Sequence, residues 1–238
     1  TRLAEYRTLA PNGGWPTVTR PSGKGDTSHY ATLRARLQAE GIDASDIAAG
    51  LATFQQRHQI VVDSALGSET LAALNVPVTT RLTQIAANLE RLRWLPRLLG
   101  EKYVFVNVPA FRLEGYEAGR KTIEMKVIVG QEFDGRSTPV FSDKMEYVVF
   151  RPYWNVTPTI AANELFPQFA ATGMPADYET YTENGEQRLR QKPGEKNSLG
   201  LVKFLFPNDF NIYLHDTPND KLFEKDVRAF SHGCIRLE

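Results

Sequence analysis

An α+β fold, helical first and β-rich afterwards, is what the order of patterns along the chain predicts. Apolar residues recur every three or four positions from about residue 28 to 93. Beyond Gly100 the texture changes to short runs of β-branched and aromatic residues separated by turn formers. A third observation sets the scale: 42% of the 238 residues are apolar, enough for a core in one large domain or two smaller ones.

Residues 1–27 are rich in turn formers, at Asn12-Gly13-Gly14-Trp15-Pro16 and Pro21-Ser22-Gly23-Lys24-Gly25, and read as a linker or the remnant of a preceding domain. Three short helices follow within 28–76. Leu33 and Leu37 lie one turn apart ahead of Gly41, a helix stop; Ile47, Leu51 and Phe54 share a face, with Gln55 and Gln56 after it. The third helix begins at Ser68, whose hydroxyl is placed to cap the free amides ahead of Leu71 and Leu74. Over 77–100, Leu82, Ile85, Leu89 and Leu92 are spaced by three and four, while Arg81, Glu90, Arg91 and Arg93 supply charge, which predicts an amphipathic connecting helix. Residues 101–238 form the β-rich domain, with strands expected at 103–108, 122–129, 147–150, 201–206 and 211–215. The segment from about 163 to 198 breaks this texture with Pro167, Pro175, Pro193, Gly173, Gly185 and Gly194, and reads as an irregular lid or binding loop.

Lys plus Arg number 28 and Asp plus Glu number 28, so no net charge draws the chain to nucleic acid or an anionic membrane surface. No apolar run is long enough to span a bilayer, and the first ten residues lack the apolar core of a signal peptide, so an export signal is expected to lie outside this sequence. A single cysteine cannot form an internal disulfide, and Cys234 must be judged by its neighbours.

Those neighbours are reactive. The chain ends in Ser231-His232-Gly233-Cys234-Ile235-Arg236, and a strand-like Ile212-Tyr213-Leu214 delivers His215 at its end. A thiol attacks carbonyls as thiolate, and an imidazole that takes its proton supplies that species; His215 and His232 are both candidates. Gly233 permits close backbone approach, the amides of Gly233 and Cys234 can face a developing oxyanion, and Arg236 offers a fixed charge to a carboxylate. Taken singly, each has a plainer reading: a core thiol, a hydrogen-bonded histidine, a surface ion pair. His29 and His58 have no acid or thiol beside them in sequence and read as structural. His215, Asp216, His232 and Cys234 are all potential zinc ligands, yet their spacing matches no usual zinc pattern, so no metal is expected.

The composite of a His, 15 further residues, Ser-His-Gly-Cys, an aliphatic residue and Arg resembles the signature of the L,D-transpeptidase (YkuD-type) catalytic domain. The likeness widens: NLERLRWLP (88–96), RPYWNV (151–156), RQKPGEKNSLGLVKFLFPN (190–208) and YLHDTP (213–218) resemble the large multidomain transpeptidases of Gram-negative bacteria. Upstream, FQQRHQIVVDSALGSETLAALN (54–75) is similar to the three-helix peptidoglycan-binding module, with Gln59 and Ser64 where that module usually has glycines.

The resemblance implies a YkuD-like β-sandwich and a two-step acyl transfer between peptidoglycan stem peptides, a tetrapeptide donor and an acceptor stem, with no metal or nucleotide cofactor. Cys234 would attack the carbonyl between the third, diamino acid residue and the terminal D-alanine, and a second stem's side-chain amine would resolve the thioester into a 3-3 cross-link. His215 is the implied base, oriented through the backbone carbonyl of Asp216, although the Asp216 carboxylate is an alternative orienter. His232 falls behind the reacting groups or at the substrate. Arg236, Ser231, Tyr213, Trp154 and Asn155 are the candidate substrate-binding residues, the aromatic ones equally explicable as packing. Family likeness further implies a periplasmic location and acylation by carbapenems, and leaves open whether a segment before Thr1 anchors the chain in the inner membrane. The insert looks short beside the family's capping region, and the stop at Glu238, four residues past the nucleophile, points to a fragment.

Two rival functions remain. The same thioester could be hydrolysed by water, making a carboxypeptidase or cross-link-trimming enzyme; or the chain could be a non-catalytic wall-binding adaptor. A papain-like protease fits less well, because there the nucleophile precedes the histidine, whereas here His215 precedes Cys234.

Overall fold

The computed structural model describes residues 1–23, 25–132 and 135–238. Lys24, in the second turn-rich cluster, lies outside them. The chain divides into two compact units, Thr1–Arg97 and Leu98–Glu238.

In the first unit the helices are α1 (Arg2–Leu9), α2 (Tyr30–Ala39), α3 (Ile47–His58), α4 (Ser68–Leu74) and α5 (Val78–Arg93). The expected apolar faces meet: Leu33, Leu37, Leu51, Phe54 and Leu74 are buried in one core, joined by Ile42, Ile60 and Val18. The opening stretch differs from the expected linker. Residues 2–9 are helical, and Tyr6 and Trp15 pack edge to face with centroids 5.2 Å apart, in a small core shared with Val78 of α5. Turn formers shaped the backbone there, while two aromatics supplied enough apolar surface to dock it. The connecting helix therefore belongs to this unit, through Val78, Leu82 and Ile85.

Two smaller expectations are corrected. Ser68 is the first residue of α4 and caps nothing, since Gly67 holds the N-cap; the side chain that does cap a helix is Asp46, accepting from the amides of Ala48 and Ala49. His58 has an acid partner after all, Glu40, with Nε2 to Oε2 at 3.1 Å. Glu40 also accepts from the fully buried Arg36 at 2.7 Å, and Arg36 stacks on Trp15 at 3.9 Å. Gln59 and Ser64 both adopt positive φ, 55° and 57°. The glycine-type geometry is thus kept without glycine.

The second unit carries β1 (Lys102–Asn107), β2 (Arg112–Glu117), β3 (Arg120–Gly130), β4 (Tyr147–Phe150), β5 (Trp154–Asn155), α6 (Pro158–Ile160), a π turn (Ala161–Leu165), α7 (Phe166–Thr172), β6 (Tyr178–Glu183), β7 (Glu186–Gln191), β8 (Val202–Leu205), β9 (Leu214–His215), β10 (Ala229–Ser231) and β11 (Ile235–Leu237). It is a curled eight-stranded sheet in the order β1-β2-β3-β11-β9-β8-β4, with β10 beside β3, and the α+β expectation holds. Leu113, Val127, Val129, Leu214 and Ile235 are buried together against one face.

The segment read as irregular is structured. β5, β7 and β6 make a three-stranded sheet of their own, and Asn184 and Gly185, with φ of 53° and 82°, form the tight turn of the β6–β7 hairpin. Asn-Gly between two strands is a hairpin signal; the surrounding charges and prolines obscured it. The strand expected over 211–215 shrinks to its last two residues because Asn208 captures the chain before it. Its side chain accepts from the amides of Phe210 and Ile212 and donates to the carbonyl of Ile212.

Candidate active site

Two short strands bring the reactive residues together. β9 and β11 run parallel, with Leu214 opposite Ile235 and His215 opposite Arg236. Successive side chains on a strand point to opposite faces, so Leu214 and Ile235 enter the core while Tyr213, His215, Cys234 and Arg236 share the other face. The same alternation puts Lys203 of β8, opposite His215, on that face too.

The turn before Cys234 is built from side-chain hydrogen bonds. Ser231 Oγ accepts from the amide of Gly233 (3.1 Å) and donates to the carbonyl of Cys234 (2.5 Å). Thr138 Oγ1 donates to the carbonyl of Gly233 (2.7 Å) and accepts from the amide of Gly130 (2.9 Å), tying the turn to β3. Gly233 sits at φ 120°, a region L residues avoid. Gly130 is obligatory for a different reason: a Cβ there would fall 1.9 Å from the carbonyl oxygen of Arg136. Two expectations change accordingly. Ser231, expected at the substrate, is 2% exposed and its hydroxyl is spent on the turn. The Gly233 amide, expected to face an oxyanion, is likewise engaged.

His215 is 4% exposed, and its Nδ1 donates to the backbone carbonyl of Asp216 at 2.5 Å. That bond fixes the tautomer and leaves Nε2 as the acceptor. Of the two ways open to Asp216, the backbone carbonyl makes this contact, while its carboxylate accepts from the amide of Leu201 at 2.7 Å. Burial is the main cause holding the imidazole pKa down, at about 4, with Arg236 and Lys203 adding to it. Burial pushes the Cys234 thiol up, while hydrogen bonding from Tyr213 and the charges of Lys203 and Arg236 pull the other way. A neutral thiol and a neutral imidazole on the same sheet face follow at neutral pH. The thiol lies 3.7 Å from the carbonyl oxygen of Asn211, a residue at φ 54° in the loop that Asn208 organises.

Tyr213 is close to both groups: its ring centroid is 5.6 Å from that of His215, and Lys203 Nζ lies 3.7 Å from its centre. His232 is exposed, with Nε2 2.6 Å from Glu164 in the π turn of the insert; Arg136 reaches the same carboxylate at 3.4 Å. Trp154 and Asn155 stand in β5 of the small sheet. Trp154 packs with Val156, Leu189 and Tyr178 there, which is the packing reading of that aromatic. Lys203, Thr138, Asn208 and Asn211 were missed in the sequence. Lys203 and Asn208 lie inside the 190–208 motif, but only strand register puts the lysine on the face of Cys234.

A family model for the YkuD L,D-transpeptidase catalytic domain matches residues 101–238, more than half of the chain. A Haemophilus influenzae protein named "Putative L,D-transpeptidase" is 30% identical over 246 aligned positions, which cover 90% of this chain and 49% of that protein, so the chain spans about half of its length. A solved structure, the L,D-transpeptidase (residues 123–326) from Xylanimonas cellulosilytica, is 17% identical, with 94% of this chain and 87% of that one covered at a TM-score of 0.27, too low an overlap to inform the site. On the strength of the family match, the chain belongs to the L,D-transpeptidase family, with residues 101–238 as its YkuD catalytic domain.

Proposed function

We propose that this protein forms 3-3 cross-links between peptidoglycan stems through a thioester on Cys234. The observation that carries the reading is the neutral, Nδ1-anchored His215 on the same sheet face as the thiol. In the first step His215 Nε2 takes the thiol proton as Sγ attacks the carbonyl of the third residue of a tetrapeptide donor. The C–N bond then breaks, the imidazolium returns its proton to the departing D-alanine amine, and a thioester remains. In the second step an acceptor side-chain amine attacks that thioester. Its proton passes to His215 and on to the released sulfur, restoring the thiol.

The Cys234 amide is the backbone donor proposed for the oxyanion, with Tyr213 beside it and with Lys203 and Arg236 raising the local positive potential. A low-dielectric pair of neutral groups suits this role, because proton transfer accompanies attack rather than preceding it. The substrate lies outside the cytoplasmic membrane, so a periplasmic setting belongs to the same proposal, as does acylation of Cys234 by carbapenems. The helical unit is proposed to contact glycan.

The test is intact-mass analysis of the protein and its Cys234→Ala variant incubated with disaccharide-tetrapeptide, alongside chromatography of the products. An acyl adduct in the parent alone, with 3-3 linked dimers, supports the proposal. Tripeptide and D-alanine without dimers would replace transfer by hydrolysis, and inertness of both proteins would leave a wall-binding role.

A further inference from the structure

His215 is flanked in register by two cations, Lys203 across β8–β9 and Arg236 across β9–β11. Both are drawn partly out of water. Lys203 Nζ rests over the Tyr213 ring, and Arg236 Nε is buried with no hydrogen-bond partner among the described residues. Among those residues neither cation has a carboxylate partner, and the sulfur of Cys234 offsets their charge only as the thiolate. Elsewhere in this unit Arg190 is matched with Glu179 at 2.7 Å, and the buried Arg228 donates to the carbonyls of Val127, Lys225 and Phe111. Two unmatched, partly desolvated cations beside a nucleophile are costly unless the site receives an anion.

We propose that Lys203 and Arg236 together bind a carboxylate of the donor stem beside the scissile carbonyl, making Lys203 a substrate-selecting residue. This rests on the acyl-transfer reading of the same face. Two carboxylates have that chemistry: the terminal D-alanine carboxylate, and a side-chain carboxylate on the third residue. Either one, seated between the cations, offsets the positive charge on both sides of His215 and so strengthens it as a base only when a donor is bound.

The first arm needs no turnover. Alkylation of Cys234 in the full chain is timed with iodoacetate and with iodoacetamide, and their rate ratio is normalised to that of N-acetylcysteine. The normalised ratio is expected to exceed one by about fivefold or more, to collapse toward one in Lys203→Met, and to survive in Lys203→Arg. A ratio of one in the parent overturns the inference even where the variants fail to fold, as does an unchanged ratio in Lys203→Met.

The second arm identifies the carboxylate. Donors ending in D-alaninamide, or lacking the side-chain carboxylate at the third residue, are each compared with the full donor on the parent and on Lys203→Met. Each relevant loss is expected to be roughly tenfold or more in kcat/KM, and the donor change that is not additive with Lys203→Met names the group. Additivity for both donors overturns the inference. If the parent turns over no stem at all, the transpeptidase reading falls, and the alkylation ratio still decides whether the pair binds carboxylates.

Discussion

At the scale of single residues, the site turns on an imidazole held neutral by burial. The unfolded chain binds a proton at His215 below about pH 6.5, whereas the folded chain resists until about 4. His215 therefore leaves stability undiminished above pH 6.5 and removes it progressively as the pH falls to 4, by about 3 kcal/mol in all. We expect His215→Asn to flatten this part of the pH dependence in urea titrations at pH 7 and pH 4.5, and to lower acyl-transfer kcat by about 100-fold or more. Asp216 separates two roles within one residue. Asp216→Ala should cost about 1 kcal/mol, from the loss of the Leu201 amide's acceptor, yet keep most activity, because the backbone carbonyl that orients His215 is still there. A collapse of kcat in that variant, measured with stability matched, would return the orienting role to the carboxylate.

At the scale of elements, short hydrogen-bonded turns hold short strands in place. β9 and β10 are two and three residues long, so what precedes each matters more than strand propensity. Thr138 is the link between Gly130 and Gly233, and Thr138→Val leaves an amide and a carbonyl buried without partners. A loss of about 2–4 kcal/mol is expected, with slower alkylation of Cys234 as the turn loosens. In the helical unit, Gln59 ends α3 at positive φ and Ser64 follows in the same region. Replacing each by glycine should raise thermal stability by roughly 0.5–1 kcal/mol, since the strain relieved exceeds the entropy glycine adds to the unfolded chain. The nearby Gln55 network shows why those conformations persist: its side-chain oxygen accepts from the amides of Asp63 and Ser64, and its nitrogen donates to Asp63, Ala65 and Thr70.

For the whole molecule, each unit has apolar cores of its own, around Leu37 and Phe54 in the first and around Val127 and Leu214 in the second. A fragment of residues 98–238 is expected to fold, with a β-rich circular dichroism spectrum, and to alkylate at Cys234 at the rate of the full chain. An unfolded fragment would mean that the second unit's core is insufficient alone. The group of buried Arg36 and Glu40 with the half-buried His58 in the first unit is a separate stability determinant, and nothing in the proposed chemistry draws on it.

By itself the sequence determined the helical faces, the α+β class and the reactive composite of His215 and Cys234, because these depend on local periodicity and on a motif of fixed residue types and spacing. It also held the Asn184-Gly185 hairpin signal, which charge and proline masked. Tertiary structure decided the rest. Only register across β8, β9 and β11 sets Lys203 and Arg236 on either side of His215, and burial, with those two cations, lowers that histidine's pKa. Only the folded turn engages the Ser231 hydroxyl and the Gly233 amide in hydrogen bonds of its own and sets His232 against Glu164. Each of these depends on contacts between residues distant in the chain, and neither spacing nor composition carries the direction in which a side chain ends.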